Sequence, residues 1–269
     1  ALGLGAEGKI PPFNATAAWE GHVYAFKKPL PLKGDGTPDT SAANFLWDGA
    51  QVVLNTQTAA DALGSNADQR RVYYSQDDTR GMVFRDGGGT VNSTRRLFDP
   101  TNAATPNTVR YDLWNALNIG FTPGNVLSEN AAQTDANGII ATTLAVKTHT
   151  ETISGATVNF RYLLGDIFHS NPLVTGAPPN TLYFSSDTHG YRDFVREHEL
   201  RLQLRLMGTN DGMLHAFDAG MNARAIAEAN KNTAHAEFTN GSGKELFAYM
   251  PRSAMATVNT ITGAVFHQW

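Results

Sequence analysis

Residue types that could do chemistry lie within five residues of one another at Asp166, His169 and Ser170, an acid, a base and a hydroxyl. Such a set could serve as a nucleophile with its general base and an orienting carboxylate. A hydrolase serine, however, sits on a strained turn flanked by glycines, and its base approaches from elsewhere in the fold. Ser170 is instead followed by Asn171 and Pro172, where we expect a strand to begin. The sequence therefore favours a backbone-bonding role for His169 and Ser170 at a corner, and it predicts no catalytic residue.

Potential metal ligands are present but do not occur in metal-binding patterns. The eight histidines have neither His-Glu-x-x-His nor facial-triad spacing. The Asp-containing segments 35–39 and 135–138 lack the alternating acids and the late bidentate acid of a calcium loop. We interpret both segments as turns, so the sequence predicts no metal site and no cofactor-binding residue.

Composition excludes several further classes of function. No cysteine is present, which excludes thiolate catalysis, cysteine-based zinc sites, iron–sulfur clusters and disulfides. The net charge of −4 gives no general attraction to nucleic acid or anionic lipid, and acids cancel the arginines in the mixed stretch 191–201, which we interpret as a solvated face. No apolar run reaches the roughly 18 residues of a membrane span. The start lacks a signal peptide and the end is apolar, so we expect a part of a longer protein.

Residues 207–220 predict a β-hairpin. The turn contains residues that tolerate left-handed backbone angles, namely Asn210, Asp211 and Gly212. The flanking residues 213–217 alternate as a sheet surface requires.

The alternation of strands and turns continues beyond the hairpin. An Asp-Ala-Gly corner begins at Asp218, and a Gly-Lys-Glu turn at Gly243 leads into an aromatic strand that ends at Pro251. Strand, turn, strand, Asp corner, turn and aromatic strand are typical of one β-propeller blade. This pattern favours a binding surface over an enzyme.

The rest of the chain is predicted to be β-rich but irregular, and the fold class is therefore all-β. We place a boundary near residue 160, with a β-rich segment at 1–159 and the first propeller blade or blades at 160–269. Upstream we expect strands at 19–26 and 70–75, apolar structure at 45–54, loops at 28–39 and 85–108, helix or mixed structure at 109–130, and hairpins within 131–160 that turn at 135–138 and 154–155.

Several of these segments resemble motifs of the PilY/PilC-type type IV pilus proteins. Residues 161–176 resemble the Gly-Asp-Ile-x-His-Ser-x-Pro-x-x-x-Gly segment that opens the propeller of that family. Residues 208–219 are similar to its Gly-x-Asn-Asp-Gly-Met-Leu-His-x-Phe-Asp-Ala motif, and residues 243–251 to its Gly-Lys-Glu-Leu-x-Ala-x-x-Pro. Shorter segments that also fit are 19–23, 47–50, 70–73 and 266–269.

The resemblance implies structural roles in the blade for a defined set of residues. They are Gly165, Asp166, His169, Ser170, Pro172, Asn210, Asp211, Gly212, His215, Asp218, Gly243 and Pro251. It also implies that the next strand, whose edge a partner must cover, begins at Phe266, His267, Gln268 and Trp269. Four or more blades close a propeller, so we expect an incomplete propeller that other sequence continues. The family's calcium loop has no counterpart here, and calcium would belong to that other part.

The resemblance further implies a non-enzymatic, extracellular or cell-surface protein associated with the pilus. Such a protein acts by binding, in pilus assembly, adhesion or surface sensing. The implied partners are minor pilins, the remaining propeller segments, and a host or abiotic surface ligand. Nucleic acid is not among them.

Two alternatives remain open at this point. Quinone-dependent dehydrogenases with eight blades have a similar repeat, but here residues 221–242 interrupt the Asp218 corner and no catalytic Asp with metal ligands can be assigned. The other alternative is a structural subunit of a larger extracellular assembly, in which the propeller is only a scaffold.

Overall fold

The computed structural model describes residues 4–9, 20–27, 30–56, 71–75, 95–97, 107–153, 155–167, 170–178, 189–198, 201–220 and 241–258. The strands are β1 (Leu4–Lys9), β2 (Glu20–Phe26), β3 (Phe45–Asp48), β4 (Val72–Ser75), β5 (Arg95–Leu97), β6 (Lys147–Ile153), β7 (Ala156–Tyr162), β8 (Leu173–Thr175), β9 (Leu204–Gly208), β10 (Leu214–Asp218) and β11 (Glu245–Met250). The helices are α1 (Gly49–Thr56), α2 (Asn107–Ala116), α3 (Val126–Leu144), α4 (Tyr191–His198) and α5 (Arg252–Val258).

The largest sheet has six strands in the order β5-β4-β11-β10-β9-β8. Strands β8 to β11 pair antiparallel in chain order, so they form a meander. Strand β4 then joins β11 in parallel, and β5 pairs antiparallel with β4. Strands from both sides of residue 160 therefore share one sheet, and the domain boundary at that position stays a prediction.

Two smaller sheets complete the strand pairing. Strands β1, β2 and β3 form an antiparallel sheet, and β6 pairs with β7 as a hairpin. The hairpin turns between Ile153 and Ala156, which confirms the turn that the sequence predicts at 154–155.

Two apolar cores stabilise these elements. The first joins α2, α3 and α5 to β4 and β11, and Trp114, Ile140 and Met250 are completely buried in it. The second joins β2, β3 and α1 to residues 163–167, and it receives Met207 and Phe217 from the large sheet. The large sheet thus contributes side chains to both cores, which fixes the hairpin β9–β10 between them.

The hairpin predicted around residues 135–138 is wrong, because these residues lie inside helix α3. The side chain of Asn125 caps the helix by accepting a hydrogen bond from the Ser128 amide. The buried positions recur at helical spacing: Ala132, Ala136, Ile139, Ile140 and Leu144. The Asn137–Gly138 pair lies on the exposed face, where glycine in a helix costs only about 1 kcal/mol. Tertiary burial outweighs this local turn signal.

The prediction of a β-rich chain is confirmed, but all-β is too narrow a description. The described residues are mostly sheet with some helices, and none of their sheets closes into a barrel. Within the predicted loop 85–108, residues 95–97 form β5 and α2 begins at residue 107. Residues 191–198 of the mixed-charge stretch form α4, which has no buried residue, as a solvated face requires.

Candidate functional site

A buried polar cluster lies where the large sheet meets the segment 163–167. It contains five of the predicted blade residues: Gly165, Asp166, Asn210, Asp211 and His215. Asp166, Asp211 and His215 are among the few buried polar side chains of the described part of the chain. Charged groups at such depth are costly unless they are paired and hydrogen-bonded, so their partners decide what the cluster can do.

The imidazole of His215 lies between two carboxylates. Its Nδ1 is 2.6 Å from Glu245 Oε1, and its Nε2 is 3.1 Å from Asp211 Oδ2. A carboxylate accepts hydrogen bonds, so both ring nitrogens must carry protons for both contacts to form. The cluster therefore favours the imidazolium form.

The electrostatics agree with this geometry. Complete burial by itself lowers the pKa of His215, but the charges and hydrogen bonds of Asp211 and Glu245 outweigh burial and raise the pKa to about 8. Asp211 and Glu245 are nearly as deeply buried, with 6% and 4% of their side chains exposed. The ring is therefore charged at neutral pH.

Asp211 joins the hairpin turn to the segment 163–167. Its carboxylate accepts hydrogen bonds from the Met213 amide at 3.0 Å, from the Gly165 amide at 3.2 Å and from the Thr209 hydroxyl. A β-carbon at position 165 would lie 2.6 Å from the Asp211 nitrogen, closer than real β-carbons approach. Glycine at position 165 is thus what lets the two segments meet.

The neighbouring residues of the turn strengthen the same junction. Asn210 donates from its side chain to Asp166 Oδ2 at 2.9 Å, and its amide donates to the Asp166 carbonyl at the same distance. The Gly212 amide donates to the Thr209 carbonyl, and its φ of 84° is one that glycine adopts without strain. The hairpin predicted for residues 207–220 is present, and its turn is anchored on both sides.

A second aspartate, Asp218, organises the opposite end of β10. One carboxylate oxygen accepts the Gly220 amide at 2.8 Å, and the other accepts the Ser242 hydroxyl at 2.7 Å and amide at 3.1 Å. The Gly243 amide donates to the Asp218 carbonyl. The expectation that residues 221–242 interrupt this corner is therefore wrong, because the corner closes across the insertion.

Histidine and carboxylate also meet at a second place. His22 Nδ1 on β2 lies 2.6 Å from Asp48 Oδ2 at the end of β3, and the ring stacks on Tyr24. These side chains are 16% and 12% exposed, so this pair is closer to solvent than the one at His215. Asp48 also accepts the Ala50 amide at the start of α1.

The cluster around His215 has the composition of a catalytic triad without its chemistry. The Thr209 hydroxyl is 3.0 Å from His215 Nε2, and Glu245 lies on the other nitrogen. A general base, however, must have a free lone pair at the working pH, and here Asp211 engages the same nitrogen. Among the described residues, no group of three or more His, Cys, Asp or Glu side chains could hold a metal ion. The arrangement is that of a charged structural clamp.

The remaining predicted site residues lie around this cluster or outside the described residues. Ser170 and Pro172 are half-buried before β8, and Pro251 accepts the Ala254 amide at the start of α5. Gly243 packs on the Trp47 ring, where a β-carbon would lie within 2.9 Å of ring atoms. His169 and the edge residues lie outside the described residues: Phe266, His267, Gln268 and Trp269.

Sequence reasoning missed two members of the cluster, Thr209 and Glu245. Both lie inside the motifs given above, Thr209 directly before Asn210 and Glu245 two residues after Gly243. Glu245 begins an aromatic strand, and an acid at such a position needs a partner or solvent. Its pairing with His215 depends on the register of β10 against β11, which the local sequence does not give.

Comparisons with known proteins support part of the resemblance. The chain is 38% identical over 96 residues to a type IV pilus biogenesis factor PilY1 homolog of Xylella fastidiosa (strain Temecula1), a match that covers 35% of this chain and 6% of that protein. No family model matches the chain, and no solved structure matches it. None of the helices in the described ranges is long and apolar enough to span a membrane. Over those 96 residues the chain is PilY1-like.

Proposed function

We propose that this chain is part of a type IV pilus biogenesis protein that works at the cell surface by binding, without catalysis. The observation that carries the proposal is the 38% identity over 96 residues to a PilY1 homolog. Pilus assembly is the role that the name of the relative supports. Adhesion and surface sensing are the finer roles that we propose for the binding surface.

The strand order of the large sheet supports an opening propeller blade. Strands β8 to β11 form a four-stranded antiparallel meander like that of one blade, and β4 and β5 extend the same sheet beyond β11. Other sequence or a partner would supply the remaining blades, and calcium would bind there. The edge at residues 266–269 is the proposed junction.

The buried cluster supports binding over catalysis. His215 is fully buried, and both its nitrogens contact carboxylates, so the ring is out of reach of a substrate and is already protonated at neutral pH. A clamp of this kind holds a rigid scaffold from which loops project. We propose that segments 85–108 and 221–242 carry contacts to minor pilins or to a surface ligand.

Two measurements on the bacterium and on the purified protein test this proposal. Deletion of the gene should reduce the number of surface pili counted by electron microscopy, and the wild-type gene should restore it. The purified protein should bind minor pilins saturably in biolayer interferometry. Unchanged piliation together with absent pilin binding would refute the proposal, and a quinone absorbance band would favour the dehydrogenase alternative.

A further inference from the structure

The side chain of His215 connects three separate parts of the chain. Through Glu245 it holds β11, and through Asp211 it holds the hairpin turn. Asp211 in turn holds the Gly165 amide of the segment 163–167. The protonated ring therefore links segments that are far apart in sequence. Gly165 and Asp211 are 46 residues apart, and His215 and Glu245 are 30 residues apart.

Every element around the ring presents a defined group to it. Glu245 comes from β11 and Asp211 from the turn, and Asp166 accepts a hydrogen bond from Asn210, the residue before Asp211. From β9, Met207 stands opposite the ring in register, and the buried cation Arg205 stands opposite Phe217. Two carboxylates contact the imidazole directly, and the protonated ring supplies one positive charge between them.

Loss of the ring proton would remove one hydrogen-bond donor and the positive charge between Asp211 and Glu245. A neutral imidazole has one N–H, so only one of its two carboxylate contacts can remain a hydrogen bond. The other contact would then set an ionised carboxylate against an unprotonated ring nitrogen, and both buried carboxylates would lose the positive charge between them, which is costly for ionised groups at this depth. The local structure must rearrange or admit water to relieve it.

We propose that His215 is a proton-operated clamp, which holds the hairpin turn against β11 and the segment 163–167 and releases the turn in alkaline medium. Because the pKa is raised from 6.5 to about 8, the clamp is complete below pH 6.5 and is lost as the pH rises through 8.

An NMR titration of the 269-residue chain tests the proposal directly. The His215 ring resonance should titrate near pH 8. Over the interval from pH 7 to pH 9, the hydrogen-exchange protection of the Gly165 and Met213 amides, corrected for intrinsic rates, should fall roughly five- to tenfold. Amides of the β6–β7 hairpin, which lies in a separate sheet, should keep their protection.

Two variants separate a clamp from general alkaline loosening. Glu245→Gln should lower the His215 midpoint by at least about one pH unit, because it removes one of the two charges that raise it. His22→Gln is the matched control, since it alters the more exposed His–Asp pair and should leave the His215 midpoint and the exchange unchanged. A wild-type midpoint at or below 6.5, or exchange at Gly165 and Met213 that is the same at pH 7 and pH 9, would overturn the proposal.

Discussion

The two ends of strand β10 are held by the same residue type in two different environments. At the first end Asp211 accepts the amide two residues later, that of Met213, and at the other end Asp218 does the same with Gly220. Both are local aspartate turns of the kind that short-range sequence predicts. What differs is everything beyond the turn.

The further partners of the two aspartates are a charged ring and neutral groups. Asp211 is buried and faces the imidazolium of His215. Asp218 is half-buried, and its second oxygen receives the hydroxyl and amide of the exposed residue Ser242. The difference teaches that one motif can anchor a fold at depth or merely close a surface corner, depending on burial and on the charge of the partner.

The largest expected effect is that of Asp211→Asn, which removes one charge from the buried cluster and keeps the shape of the side chain. The imidazolium of His215 then keeps Glu245 as a charged partner but loses its buried ion pair with Asp211. Breaking a buried ion pair in this way destabilises by about 3–5 kcal/mol. Urea denaturation of both proteins at pH 7 measures the difference in the free energy of unfolding.

If Asp211→Asn lowered the free energy of unfolding by less than about 1 kcal/mol, the range of an ordinary hydrogen bond, Asp211 would stabilise the fold no more than Asp218 does. Glu129→Gln serves as the control for removing a carboxylate that hydrogen-bonds outside the cluster. Its acceptors face Tyr111 and the Gly124 amide, and the Gly124 contact is solvent-exposed.

The pH dependence of stability is expected to be the next largest effect, and it belongs only to the first end of β10. The folded pKa of His215, about 8, exceeds its ordinary value of 6.5, so protonation stabilises the fold. This contribution of about 2 kcal/mol is complete below pH 6.5 and disappears as the pH rises through 8.

Chemical denaturation of the wild type and of His215→Gln between pH 6 and pH 9 measures this contribution. The variant should lose less stability than the wild type over the same interval. Parallel curves for the two proteins would show that other groups cause the alkaline change.

At the second end, Asp218→Asn should cost about 1 kcal/mol, the usual net value of a hydrogen bond in a half-buried setting. The amide retains one acceptor for Gly220 but presents N–H groups to Ser242. The cost should not change between pH 6 and pH 9, because the described contacts of Asp218 are to Gly220, Ser242 and other uncharged backbone groups. A cost as large as that of Asp211→Asn would mean that depth is not what separates the two ends.

The sequence predicted much of the hairpin but not what lies next to it. Asn210, Asp211 and Gly212 are turn residues whatever surrounds them, and the alternation of residues 213–217 requires a sheet. The pairing of His215 with Glu245 depends on contacts between distant strands, which local patterns do not encode. The motif at residues 161–176 predicts a structural role for Gly165, yet only the fold shows that glycine is needed there to reach Asp211.

The error at helix α3 has a related cause. The Asn137–Gly138 pair is a strong hairpin signal in isolation. The cap at Asn125 and the buried stripe of Ala132, Ala136 and Ile140 decide the outcome, and a stripe built partly of alanine has little contrast in the sequence. A helical period made partly of alanine is difficult to recognise in the sequence, and it becomes clear only from which residues are buried.

The smallest effect on stability is expected from the insertion at the second end of β10. The corner closes through Asp218 on one side and Ser242 and Gly243 on the other, so the described fold does not depend on what lies between them. Replacing residues 221–240 with a Gly-Ser linker of half the length should change the free energy of unfolding by only about 0.6 kcal/mol, the loop-closure difference.

The same variant should lose affinity for minor pilins if this segment carries the proposed contacts, and Asp218→Asn with the native segment is the control for damage to the corner. A loss above about 2 kcal/mol in the free energy of unfolding would exceed the loop-closure difference. It would show that the insertion itself stabilises the corner at Asp218.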